Sequence, residues 1–444
     1  MGRKRLGRRF DWLWAAYAVS AYGSGLGFGA LPLIAVTALH ASPGEVSALS
    51  ATGPAMGALI ALPLGPWVEL RRKRPVMIAM DLARFAAMAT IPAAYALGCL
   101  GFAQLLVVSA AVAAAKIAFN AAGGAFLKSL VRPADLLTAN ARFESTNWSS
   151  IAVGPPLGGA AIGLFGPVTT VLADALSYLL SAVGIAAIGG REEAPQRVGR
   201  RAAGAVGAAG ERAADAGGVA GERPAGAVGA ADAERPADAV LDGWRHILAD
   251  PGLRALYLNN MLVSGLIMAT EPVLAVLLLR RLDFAPWQYG LAFAAPCLGG
   301  LVGSRLAQRV VTRYGRDRVF RTVGTLRAVW LIGLVLVRPG VVGLLTVMAV
   351  ELAIIVNMSL YTPVLATYRL ERTPTHLVAR TLSAWSIGQQ AAIAVLTALG
   401  GLLADATGPR TALAVAGVLV LATPLLLPRP GRTGDRPEPS RSPA

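Results

Sequence analysis

The stretch 62-LPLGPWVELRRKRPVMIAMDLAR-84 sets Glu69, Arg71, Arg72, Lys73 and Arg74 within six positions, between two long apolar runs. In a water-soluble chain such a cluster is an ordinary solvated loop. In a chain that crosses a membrane it is a loop held on one side by its own charge. The composition chooses between these. The 444 residues are 55% hydrophobic and only 15% charged, too little charge for a soluble chain of this length to cover its surface. Apolar runs long enough to cross roughly 30 Å of hydrocarbon as helix recur throughout. The reading is an all-α polytopic membrane protein.

Apolar runs set against charged or Gly/Pro-rich breaks give twelve candidate transmembrane helices: 12–39, 46–66, 76–97, 102–125, 140–163 and 167–189, then 253–279, 288–308, 319–337, 340–365, 379–404 and 409–428. The net charge of +16 is distributed in step with them. Arg280, Arg281, Arg338 and Arg410 fall in segments placed outside, whereas most of the 41 lysines and arginines lie in the tails or alternate loops. That asymmetry puts both termini in the cytoplasm. It also argues against nucleic-acid binding, because no basic helix stands apart from the membrane flanks.

The N-terminal "MGRKRLGRRF" followed by an apolar run imitates a signal peptide, but the run is too long for a signal core and no A-x-A site closes it. Cys99 and Cys297 lie in or beside apolar segments and suggest no disulfide framework; His40, His246 and His376 show no metal-ligand spacing. No phosphate-cradling G-x-x-x-x-G-K-[ST] occurs, so ATP hydrolysis is not expected. No catalytic set, metal or cofactor is expected.

The chain divides into a basic tail (1–11), a six-helix half (12–189), a linker (190–240), an interfacial helix (241–252), a second six-helix half (253–428) and a C-terminal tail (429–444). The linker is almost all Ala, Gly, Arg, Glu, Asp and Pro, with "AGAVGAA" at 203–209 and again at 225–231. It has too few large apolar side chains to offset ordering entropy and reads as disordered; so does the C-terminal tail. In "LDGWRHILADPGLRAL" (241–256), Trp244 and Ile247 share one face with arginines flanking, as in a helix at the membrane surface. The second half carries its own basic joint, "GSRLAQRVVTRYGRDRV" (303–319), at the position equivalent to the opening stretch. Matching features in two six-helix halves mark a transporter built from repeats.

Several motifs carry a family resemblance. Gly65, Pro66-Trp67-Val68, Glu69, Leu70 and Arg71–Arg74 follow a Gly, three residues, acid, then bases pattern, with "DLAR" (81–84) next. "SIAVGPPLGGA" (150–160) supplies Gly154, Pro155, Gly158 and Gly159 of a G-x-x-x-G-P-x-x-G-G pattern, with Ser150 at its first glycine. "LERTPTHLVARTLSAW" and "GGLLADATGPRTAL" follow near the end. These resemble the major facilitator superfamily, most of all its drug-efflux branch of macrolide and enterobactin exporters, over nearly all of residues 12–427. Glu69 stands where that branch has Asp, and Leu70 where it has a base. Ser24 in "YGSGL" stands where the branch often has an acid.

The resemblance implies the major facilitator fold and a multi-pass monomer of the bacterial inner (plasma) membrane. It also implies a small-molecule substrate moved by alternating access, and no enzyme activity. It makes Glu69 a conformational latch facing basic groups or the positive end of the eleventh helix when the cytoplasmic side is closed, with Arg71, Arg72 and Arg74 around it. It makes the helix-5 glycines an antiporter-like packing motif.

Charges inside the membrane each cost roughly 2.5–3.5 kcal/mol on insertion scales, so they need a reason. Asp81 and Arg84 are three apart and can pair. Asp174 and Arg327 are taken as structural. Glu271 precedes Pro272 in the middle of the seventh helix, where proline frees the carbonyl of Met268. A carboxyl beside a freed carbonyl makes a mid-membrane polar break, suited to a proton or a cationic substrate. In the family fold Lys116 and Glu351 belong to cavity-lining helices of opposite halves, and their pairing would close a gate; snorkelling of Lys116, or pairing within its own half, is the simpler alternative. Polar residues at helical spacing then outline a mostly apolar cavity: Tyr17, Ser20, Ser24, Asn120, Asn260, Ser264, Asn357, Tyr361, Ser383 and Gln390.

These features point to proton-driven export of an amphipathic organic compound such as an antibiotic or siderophore. Uptake by the same fold is the alternative, disfavoured by "GPPLGG". A membrane-embedded enzyme or a sensor lacks the outer loops or output domain it would need.

Overall fold

The computed structural model describes residues 6–27, 29–69, 71–132, 135–189, 236–374 and 377–427, with the side chains of 61–69 outside the description. Among the described residues the chain is helix and turn throughout, without a strand. The first half comprises α1 (Arg8–Leu26), α2 (Ala30–Thr37), α3 (Pro43–Glu69), α4 (Lys73–Ala96), α5 (Phe102–Leu130), α6 (Leu136–Phe165) and α7 (Pro167–Ala186). After α8 (Pro236–Ala249), the second half comprises α9 (Pro251–Val276), α10 (Pro286–Tyr314), α11 (Arg316–Val329), α12 (Val341–Glu371), α13 (Val378–Thr407) and α14 (Pro409–Ala422). Counting α1 and α2 as one crossing, ten segments among the described residues are long and apolar enough to span a bilayer. The 27-residue α3 and 29-residue α10 pack among them and complete two sets of six.

Local chemistry fixes the helix ends. The Asp250 carboxylate accepts from the backbone N–H groups of Gly252 (2.7 Å) and Leu253 (2.9 Å), and Pro251 opens α9 where its missing donor costs nothing. Gly-Pro steps turn α6 into α7 and α13 into α14, with φ of 82° at Gly166 and 92° at Gly408. These φ values, with ψ near 160°, are open essentially to glycine alone, and they recur at equivalent places in both halves.

Most helix ends fall a few residues from the sequence reading, and two of the differences have a clear local cause. The first crossing begins at Arg8 and breaks between α1 and α2, where Gly29 takes a φ of 75°. Residues 236–240, assigned to the linker on composition, are helical because Val240 already belongs to the buried face of α8. That face lies on α13: Ile247 is buried, and the Trp244 indole N–H donates to the carbonyl of Ala384 (3.1 Å). Residues 190–235 and 428–444 lie outside the described residues.

Each half buries an arginine against an aromatic ring. Arg84 on α4 pairs with Asp81 and lies 4.6 Å from the Phe119 ring centroid and 4.4 Å from that of Tyr178. Arg327 on α11 lies 3.7 Å from the Tyr361 centroid and donates to Asn259 Oδ1. Asn259 in turn donates to the Thr423 carbonyl (2.7 Å), tying α9, α11, α12 and the end of α14 together. Asn259→Leu is therefore expected to lower the thermal midpoint of the detergent-solubilised protein by the equivalent of about 2 kcal/mol, the worth of a hydrogen bond to a charged group. An unchanged midpoint would show that the Tyr361 ring alone holds the charge.

Among the described residues the halves meet mainly along two helix pairs, α3 with α13 and α6 with α10. The second pair rests on glycines: a Cβ on Gly290 would lie 2.7 Å from the Pro155 carbonyl oxygen and 2.9 Å from Gly159 Cα. Small residues at these positions are what let the backbones approach.

Candidate functional site: a central cavity with charged walls

Between the two halves lies a cavity of about 660 Å³, lined by α1, α4, α5 and α6 from one side and by α9, α10 and α12 from the other. Lys116, Glu271 and Glu351, singled out in the sequence, all line it, as do Tyr17, Ser20, Ser24, Asn120 and Pro155. Lys116 and Asn120 are exposed to it; Glu271 and Glu351 are half-buried. Glu271 faces it from the turn that Pro272 interrupts, with Met268 and Thr270 beside it. Glu351 on α12 and Glu271 on α9 line the same wall, that of the second half. Among the described residues none of Lys116, Glu271 and Glu351 has a hydrogen bond, or an ion pair within 4.0 Å. Lys116 and Glu351 thus share one cavity without touching.

Other expected members lie elsewhere. Asn260 is buried and donates to Gln389 Oε1 (3.4 Å) on α13, and Ser264 is buried one turn further along α9. Asn357 donates to the Ala353 carbonyl within its own helix (2.8 Å). Tyr361 is buried under Arg327, Ser383 is exposed, and Gln390 packs against Gly57 at the α3–α13 contact. None of these six lines the cavity.

Arg84, Asn147, Ser150, Thr270 and Phe293 do line it without having been singled out for it. Asn147 and Ser150 were legible as polar residues one turn apart on α6. Asp174 was taken as structural, yet its carboxylate stands behind the cavity wall, accepting from Ser24 Oγ (3.4 Å) and from the Tyr178 hydroxyl (3.4 Å). An acid on α7 thus stands within one hydrogen bond of Ser24.

The helix-5 motif holds this arrangement. A Cβ on Gly154 would lie 2.5 Å from Gly25 Cα, Gly158 packs on Leu26 of α1, and Gly159 meets Gly290 of α10. At the opening stretch, Arg74 donates from Nε to the Ile185 carbonyl (3.1 Å) and from a terminal nitrogen to that of Ala186, capping α7 with positive charge; Arg71 and Arg72 are exposed. Gly65 is described only as part of α3, and the side chain of Glu69 lies outside the described residues.

The end that the charge pattern places outside is sealed between halves. Asp405 at the end of α13 accepts from Ser42 Oγ (3.1 Å) and from the Gly44 backbone N–H (3.0 Å) in the first turn of α3. Arg280 donates across to the carbonyl of Ala41 (2.9 Å). A carboxylate at a helix N-terminus contributes about 0.3–1 kcal/mol. Asp405→Asn should therefore raise outside labelling of an Asn120→Cys reporter, in a background lacking the native cysteines, roughly two- to fivefold. Unaltered labelling would show that Asp405 does not hold the seal.

The sequence profile of the Major Facilitator Superfamily matches residues 13–350 and 256–444. Among solved structures the chain is similar to a bacterial homologue of the iron transporter ferroportin in an inward-facing state, with a TM-score of 0.72 at 15% identity over 95% of this chain and 98% of that one. It is similar to the nucleoside transporter NupG, with a TM-score of 0.69 at 9% identity over 95% and 99%. A bacterial homologue of the human lysosomal transporter Spinster, inward-facing and unoccupied, gives 0.64 at 13% over 96% and 95%. No curated protein matches by sequence. At these identities the structures establish the fold alone.

Proposed function

The chain belongs to the Major Facilitator Superfamily, and from that premise we propose that it exports an amphipathic organic compound in exchange for protons. The observation that carries this reading is the pair Glu271 and Glu351, two carboxyls on one wall of a cavity shared by both halves, without a hydrogen bond or ion pair among the described residues. Two carboxylates on one wall repel, and either a cation or a proton relieves them. A cationic group of the substrate and a proton therefore compete for one site, and competition at an alternately exposed site is antiport. The seal at Ser42–Asp405 and the cavity beneath it support an inward-facing resting form, with termini in the cytoplasm of a bacterial inner-membrane monomer. The export direction is supported by the helix-5 packing of Gly154, Gly158 and Gly159 and by the drug-efflux resemblance. Asp174, reached through Ser24, is a second place for the proton on the opposite wall.

When the cavity narrows on the cytoplasmic side, Lys116 and Glu351 approach, and their pairing is the empty gate. Reversing either charge alone is expected to lower export by roughly 5–150-fold, the span of a coupling energy of about 1–3 kcal/mol, and Lys116→Glu with Glu351→Lys should restore much of it. Absence of rescue would sever the pair. On the cytoplasmic face Glu69 remains the proposed latch, with the surrounding bases chiefly setting topology.

The test of the function is accumulation of antibiotics and dyes in cells with and without the protein, each with and without a proton uncoupler. Lower accumulation that the uncoupler abolishes is the expected result. Higher accumulation would mean uptake, and export insensitive to the uncoupler would exclude proton antiport.

A further inference from the structure

The central cavity is charged differently on its two walls. On the wall of the first half, Lys116 is exposed, with no hydrogen bond or ion pair among the described residues. Arg84 reaches the same wall, but Asp81 pairs with it and the rings of Phe119 and Tyr178 lie against it. Asp174, an acid of the same half, is only 5% exposed, is turned to Ser24, Ser177 and Tyr178, and does not line the cavity. What the cavity meets on that side is one ammonium group beside the amides of Asn120 and Asn147. The opposite wall presents Glu271 and Glu351 set among Ile267, Ile354 and Phe293.

Unpartnered charge away from water is costly, and opposite charges that face each other without touching leave room for a ligand to satisfy both. We propose that the transported compound is an amphipathic zwitterion, with its carboxylate or other anionic group on Lys116 and its protonated amine on the Glu271–Glu351 pair. Its apolar body lies against Ile267, Ile354 and Phe293. This assignment rests on the export reading above. A compound that is only cationic is repelled by Lys116, one that is only anionic meets two carboxylates, and a neutral one satisfies neither wall. A cavity of about 660 Å³ accommodates a molecule of drug size. Because opposite halves hold the two ends, the ligand reaches both best when the cavity narrows. That is the differential affinity a ligand needs in order to move the halves.

The test is an export assay in cells with and without the protein, using two matched sets of fluorescent probes. One set is rhodamine B, a zwitterion, and its cationic ethyl ester. The other is ciprofloxacin, a zwitterion, its cationic ethyl ester and its anionic N-acetyl derivative. Export of each zwitterion is expected to exceed that of its ester, and of the anion, by roughly tenfold. Lys116→Gln should lower the zwitterion-to-ester ratio by a similar factor, and Lys116→Arg should keep it. Because the ratio is taken within one variant, poor folding of that variant does not imitate the effect. Esters exported as well as zwitterions, or a ratio that Lys116→Gln leaves unmoved, would overturn the zwitterion assignment while export stands. Export of none of the five probes would overturn both.

Discussion

Replacing Glu271 by Gln is expected to remove most uncoupler-sensitive export while the protein stays in the membrane at normal abundance. The carboxyl is half-buried on the cavity wall, without a hydrogen bond or ion pair among the described residues, so the amide breaks no contact that holds the fold. The change removes a group that takes and loses a proton and weakens the hold on a cationic group of the substrate. If coupling is worth about 1–3 kcal/mol, export falls roughly 5–150-fold. Glu271→Asp should retain part of it, since the titratable group is only withdrawn by one methylene. The measurement is the initial rate of probe export at matched expression. A fully active Glu271→Gln would move coupling to Glu351 or Asp174.

Gly154→Val should be among the most damaging single changes in α6. A Cβ there meets Gly25 Cα at 2.5 Å, Gly25 C at 2.6 Å and Gly25 O at 2.7 Å, all backbone atoms that no rotamer change can move. Overpacking of this kind costs about 1–3 kcal/mol and more where backbone must shift. Forcing α1 from α6 also displaces Ser24 from Asp174 and disturbs the wall that carries Ser20 and Asn147. Gly163 on the same helix has nothing within 4 Å of its Cβ position, so Gly163→Val is the matched control and should be tolerated. The yield of folded protein after detergent extraction reads the difference. Equal yields would mean the helices separate more easily than their packing implies.

The twelve spans were legible because the bilayer forces apolar runs of a minimum length, and the Gly-Pro turns and basic joints punctuate them. The ends were less so. α12 runs from Val341 to Glu371, past the apolar run, because a helix stops where its caps and neighbours stop it rather than where hydropathy falls. The break at Gly29 was hidden, since a glycine-rich stretch reads equally as a close-packed straight helix. Lys116, Glu271 and Glu351 could be picked out because charge in the membrane is rare enough to need a reason. Asn357 and Tyr361 show the limit of the same reasoning. Spacing says that polar residues share a face but not which neighbour that face meets, and Tyr361 meets Arg327 on α11. Asp174 was missed as a partner of Ser24 because nothing in sequence places residues 150 apart within a hydrogen bond.

The most direct test of proton exchange uses the purified chain in proteoliposomes, with rhodamine B outside and an imposed pH gradient of either sign. The account predicts that the dye accumulates in vesicles with an acidic lumen, against its own gradient. It predicts that the effect vanishes when the gradient is collapsed or reversed, and in Glu271→Gln. Transport to equilibrium only, at a rate indifferent to the gradient, would contradict it.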